Sequence, residues 1–178
     1  MSMRLFWLGF AAMLATIAVL APMPATTPTA LAADGDASSL AGKWTYRSFH
    51  NNPDPVGDDK DKALALIFAE ATFTFEITSP TTLKGTIDWG SGGLDLQGTI
   101  RPAGAGAPLT VEIIGTGRPG APDTGTAGWE YDYYAHLAYK WPNGVDQVPA
   151  LVGTVIRAKP HGGNPAGYVA SFIAVKQP

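Results

Sequence analysis

The chain of 178 residues contains no cysteine, which excludes disulfide bridges, thiolate-bound metals, a cysteine nucleophile and a lipid-bearing N-terminal Cys. Charge is scarce: Asp, Glu, Lys and Arg make up 15%, and the basic share is the smaller, 12 Lys and Arg against 15 Asp and Glu. A phosphate-gripping surface needs the opposite balance, so nucleic acid is not an expected partner. Methionine is absent beyond Met23, and only one apolar run, Leu5 to Ala21, approaches the length of a membrane span. The three histidines, His50, His136 and His161, stand too far apart to form a local metal-ligand motif.

What is present begins with a leader. Arg4 is the one charged side chain between Met1 and Ala32; an apolar run follows it, then a Pro/Thr stretch ending in Ala30-Leu31-Ala32. A basic start, an apolar middle and a small-residue exit are the order a signal peptidase uses, so residues 1–32 are expected to be removed on export. The remaining 178 − 32 = 146 residues form one domain, secreted or periplasmic, with no membrane contact once the leader is gone.

That domain is rich in glycine and proline at spaced positions, which excludes long helices. Between these breakers lie segments that alternate apolar and polar residues, the mark of strands with one buried face. They run over Gly42 to Phe49, Leu66 to Ile77, Leu83 to Trp89, Leu94 to Ile100, Leu109 to Ile114, Ala127 to Trp141, Leu151 to Lys159 and Gly167 to Lys176. Gly90-Ser91-Gly92-Gly93 joins the third and fourth as a hairpin, and Pro142-Asn143-Gly144 turns the chain into the seventh. About eight strands in this length predict an all-β fold, a small antiparallel up-and-down barrel, since closure removes exposed edges. A two-sheet sandwich is the alternative. Asn51 to Lys62 reads as a long solvated connection, and Ala63 to Phe68 as either a helical turn or the start of the second strand.

Leu40-Ala41-Gly42-Lys43-Trp44-Thr45 resembles the Gly-x-Trp opening of avidin-like and lipocalin-like barrels, the calycins. The resemblance implies an eight-stranded barrel with Trp44 closing one end. It does not extend to biotin: Gly85-Thr86 is followed by Ile87, where the avidin pattern has tyrosine. Trp44 to Phe49 and Trp141 to Gln147 are similar to segments accompanying secreted tyrosinase-like copper oxidases, and since the chain has no copper motif that resemblance implies an accessory module.

The most informative segment is Ala127 to Trp141. One face carries Trp129, Tyr131, Tyr133, Ala135, Leu137, Tyr139 and Trp141; the other carries Glu130, Asp132, Tyr134, His136, Ala138 and Lys140. Charges stay wet, so the aromatic face points inward. The candidate ligand-binding residues are therefore Trp44, Tyr46, Trp89, Trp129, Tyr131 and Tyr133, lining an interior suited to a small apolar or aromatic ligand. Against this stands an interior packed solid by the same rings, in which case the loops would serve a protein partner. An enzyme of unfamiliar type is the third class.

No catalytic residue, metal ligand or cofactor is assigned. Asp54, Asp58, Asp59 and Asp61 lack the EF-hand spacing and its closing glutamate. Ser91 lacks the strand-to-helix frame of a nucleophile elbow. Gly115-Thr116-Gly117-Arg118-Pro119-Gly120 matches a dinucleotide glycine pattern, but Pro119 and Pro122 prevent the helix on which that pattern depends. Glu130 and Asp132 share one face with Lys140 and His136, which reads as a wet exterior, and Arg118 and Arg157 read as ordinary surface charges or, alternatively, as anion contacts at a rim.

Overall fold

The computed structural model describes residues 36–51, 54–104, 106–118, 125–138 and 147–178. The expected leader, residues Pro119 to Asp123, the end of the aromatic segment at Tyr139 to Trp141 and the turn after it lie outside them. A 3₁₀ turn, Ala37–Leu40, leads into β1 (Gly42–His50); a short helix, α1 (Lys60–Ala65), precedes β2 (Ile67–Ser79). Then follow β3 (Thr82–Trp89), β4 (Gly92–Arg101), β5 (Thr110–Gly117), β6 (Glu130–Leu137), β7 (Ala150–Arg157) and β8 (Val169–Lys176). Each strand pairs antiparallel with the next, and β8 returns to pair with β1, so the eight strands form one closed up-and-down barrel. The sandwich alternative is thereby excluded.

Burial follows the period-two pattern. Along β1, Trp44, Tyr46 and Ser48 are buried while Lys43, Thr45 and Arg47 are exposed; along β6, Tyr131, Tyr133 and Ala135 are buried while Tyr134 and His136 are exposed. The ambiguous stretch before β2 divides: α1 ends at Ala65 and β2 starts at Ile67. Asp59 starts the helix, its carboxylate accepting from the backbone N–H groups of Asp61 and Lys62 at 3.0 and 3.1 Å. β6 is shorter at its start than the aromatic alternation suggests. Trp129 precedes the strand, held by backbone hydrogen bonds from its own N–H to Thr126 and from Gly117 to its carbonyl, both 2.9 Å.

The connections β1–β2, β3–β4, β5–β6 and β7–β8 gather at one end of the barrel, where the cavity described below lies, and a plug closes the other. At this closed end, Trp44 and Leu40 are fully buried, and the indole Nε1–H donates to the Leu40 carbonyl at 2.9 Å. The Lys176 side chain lies over the indole and donates to the Ser39 carbonyl at 2.7 Å, tying the 3₁₀ turn across the barrel mouth. Above this plug Tyr46, Phe73, Tyr133 and Phe172 meet as one aromatic layer, with ring centroids between 4.8 and 6.2 Å apart. Edge-to-face geometry predominates among them, an arrangement that favours ring quadrupoles. Buried side chains thus occupy the lower and middle levels of the interior.

Candidate functional site

Above the aromatic layer the interior opens into a cavity of about 460 Å³. Its apolar floor and walls come from Tyr46, Ile87, Leu94, Tyr133 and Val155, side chains that strand parity turns inward. At the rim Trp89, Trp129 and His161 form a run of nearly parallel rings. Trp129 lies 3.8 Å from His161 at an interplanar angle of 17°, and 6.2 Å from Trp89 at 18°. Both indoles are half-buried, so part of each ring faces the opening.

One corner of this cavity is polar. Arg157, at the end of β7, is only 7% exposed, and its Nε–H donates to the Tyr131 hydroxyl at 3.4 Å. His161 Nε2 lies 2.8 Å from the same hydroxyl. Arginine has no acceptor, so the Tyr131 oxygen receives from Arg157, and the same hydroxyl is hydrogen-bonded to the imidazole, giving a chain Arg157–Tyr131–His161. Partial burial, and then the Arg157 cation, hold the His161 pKa below its ordinary value, which favours the neutral ring. Burial raises the phenols of Tyr46 and Tyr133 far above the ordinary tyrosine value, so both stay protonated in the cavity floor. For Tyr46 a hydrogen bond with Ser48 opposes part of that rise.

Five of the six expected site residues meet here: Tyr46, Trp89, Trp129, Tyr131 and Tyr133 all line the cavity. Trp44 does not. It belongs to the plug at the closed end, with the aromatic layer between it and the cavity. Strand parity puts Trp44 on the inward face but leaves its depth along the barrel unspecified, so alternation alone does not separate it from the others.

Arg157 is a second correction, since it is buried in the cavity wall and not a surface charge. The signal was available: it shares parity with Leu151 and Val155 on β7. His161 gave no such signal, because its stack on Trp129 depends on the turn between β7 and β8, where it pairs with Asn164. Phe68, Tyr168 and His50 complete that side of the rim. The Arg157 guanidinium sits 5.5 Å from the Tyr168 ring centroid, and the Tyr168 hydroxyl is hydrogen-bonded to His50 Nδ1.

The remaining polar candidates lie elsewhere. Arg118 bridges Asp88 at 2.7 Å and Asp95 at 2.8 Å across β3 and β4. Partial burial of Asp88 works to raise its pKa, but the hydrogen bonds from Arg118 and Thr86 outweigh it and hold the carboxyl below its usual range. Glu130 pairs with Lys159 at 2.6 Å on the outer wall. Beside it, partial burial and the Glu130 charge raise the Asp132 pKa. His136 is exposed, and among the described residues no group of three His, Asp or Glu side chains is placed to hold a metal. No family model, curated protein or solved structure matches the chain.

Proposed function

We propose that the protein is a non-catalytic binding barrel, exported from the cell and calycin-like in architecture, that holds a small flat apolar or aromatic ligand at its open end. The observation carrying this reading is the half-exposed Trp89 and Trp129 pair standing over a cavity of about 460 Å³ whose floor is aromatic. That volume lies within the range of sites for small organic ligands. Solvent that enters an apolar pocket of this size packs against the lining less well than a fitted ligand and leaves its apolar surface wet. An occupant removes that surface from water, and indole faces favour a planar one.

Titrating the protein with aromatic, lipid and sugar compounds while following tryptophan emission tests the proposal. Aromatic compounds should quench the signal saturably, and Trp129→Leu should weaken that response. Flat emission with every class refutes it. A second reading, a protein-interaction module, draws on Ile114, Tyr134, Val152 and Ile173, which are large, 37 to 54% exposed and close together on the outer face of β5 to β8. Under that reading, charged substitutions at Tyr134 and Val152 would abolish partner binding while leaving the tryptophan response intact.

A further inference from the structure

The polar corner of the cavity narrows the class of ligand. An arginine that is 7% exposed has lost most of its hydration, and a buried cation is costly unless an anion or a full set of acceptors replaces the lost water. Arg157 has five N–H donors to satisfy. Two bonds are formed, from Nε to the Tyr131 hydroxyl at 3.4 Å and from Nη1 to the Pro165 carbonyl at 3.2 Å, both long and both to neutral oxygens. The Tyr168 ring beneath the guanidinium is also neutral.

Three described acids near the cavity are committed elsewhere: Glu130 to Lys159, Glu70 to Arg47 and Asp88 to Arg118. Among the described residues, no carboxylate pairs with Arg157. Glu70 also contributes to the cavity lining, but its ion pair with Arg47 at 2.6 Å balances its charge. His161 adds no second cation while its ring is neutral. Among the described residues that line the cavity, Arg157 is therefore the one charge without an ion-pair partner, and it stands beside the indole faces at the rim.

We propose that the ligand is a planar aromatic anion, its ring lying against Trp129 and Trp89 and its carboxylate accepting from the guanidinium of Arg157. This deepens the binding-barrel reading and rests on it. Carboxylates match the fork of an arginine and form charge-assisted hydrogen bonds, stronger than those to neutral oxygens. The Tyr131 and Tyr168 contacts act to hold the fork in place, so Arg157→Lys would not reproduce the geometry.

The test is calorimetric titration of the protein, produced from the full chain, with 2-naphthoate and with its neutral counterpart 2-naphthylmethanol. The naphthoate should bind more tightly by about tenfold to hundredfold, the range expected for one desolvated charge-assisted pair. Arg157→Gln should erase that preference, the two compounds then binding within about threefold of each other. Should the variant fail to fold, the preference of the unaltered protein decides alone. Equal binding of the two compounds, or tighter binding of the alcohol, overturns the anionic assignment and leaves the binding-barrel reading standing. Binding of neither, with unchanged tryptophan emission, overturns both.

Discussion

Gly117 is the position at which a single methyl group should disturb the rim of the cavity most. A Cβ built there would lie 1.6 Å from the Thr126 carbonyl oxygen, whereas real Cβ contacts essentially never fall below 3.0 Å. The loop must therefore retreat by at least 3.0 − 1.6 = 1.4 Å. That loop is held by the Thr126 hydroxyl donating to Gly93 at 3.0 Å, by Trp129 N–H to Thr126 and by Gly117 N–H to Trp129, each 2.9 Å. Thr126 is fully buried, so its groups have no water to turn to.

Losing one or two of these bonds at about 1 kcal/mol each, with about 1–3 kcal/mol of overpacking strain, gives a destabilisation of about 2–5 kcal/mol for Gly117→Ala. In a domain of this size that lowers the melting temperature by about 5–15 °C. It should also move Trp129 off His161 and weaken naphthoate binding. Gly90→Ala is the matched control, because nothing lies within 4 Å of its Cβ; its melting temperature should equal that of the unaltered protein or slightly exceed it. Thermal unfolding followed by circular dichroism measures both. If Gly117→Ala melts within about 2 °C of Gly90→Ala, the close approach of these two chain segments is wrong, and so is the placement of Trp129.

Trp44→Phe removes the indole N–H and strands the Leu40 carbonyl at the closed end, at a cost of about 1–3 kcal/mol in urea unfolding. Ligand affinity should not change, because the aromatic layer separates Trp44 from the cavity; a tenfold loss of affinity would place Trp44 in the site after all. His161 has a folded-state pKa below its unfolded value, so the unfolded chain takes up its proton first as pH falls. This contribution is therefore fully present above about pH 6.5 and is lost as pH falls from there toward the lower folded value. The stability advantage of the unaltered protein over His161→Asn should shrink between pH 8 and pH 5 in urea titrations, and an advantage independent of pH would contradict the neutral, Tyr131-bonded imidazole.

Most of the fold is readable from alternation alone. The parity of Trp44, Tyr46 and Ser48, of Phe73 and Phe75, and of Tyr131, Tyr133 and Ala135 assigns each to the inward face, because a strand side chain has only two directions to choose from. The number of strands then suggests closure, since an open sheet of this length would leave two bare edges. For the same reason five cavity residues could be named from the chain.

Depth along the barrel is another matter. Trp44 and Tyr46 share a face and stand two residues apart, yet one seals the closed end and the other floors the cavity. Parity is periodic and does not distinguish levels; strand tilt and register do. Whether the interior fills is equally a property of the closed barrel, where four rings from β1, β2, β6 and β8 meet in one layer and leave the level above them open. The polar corner is the most tertiary feature of all. Arg157 and His161 reach the Tyr131 hydroxyl only because β7 pairs with β6 and the following turn folds back over the rim, and no local pattern in a chain encodes where two distant segments come to lie side by side.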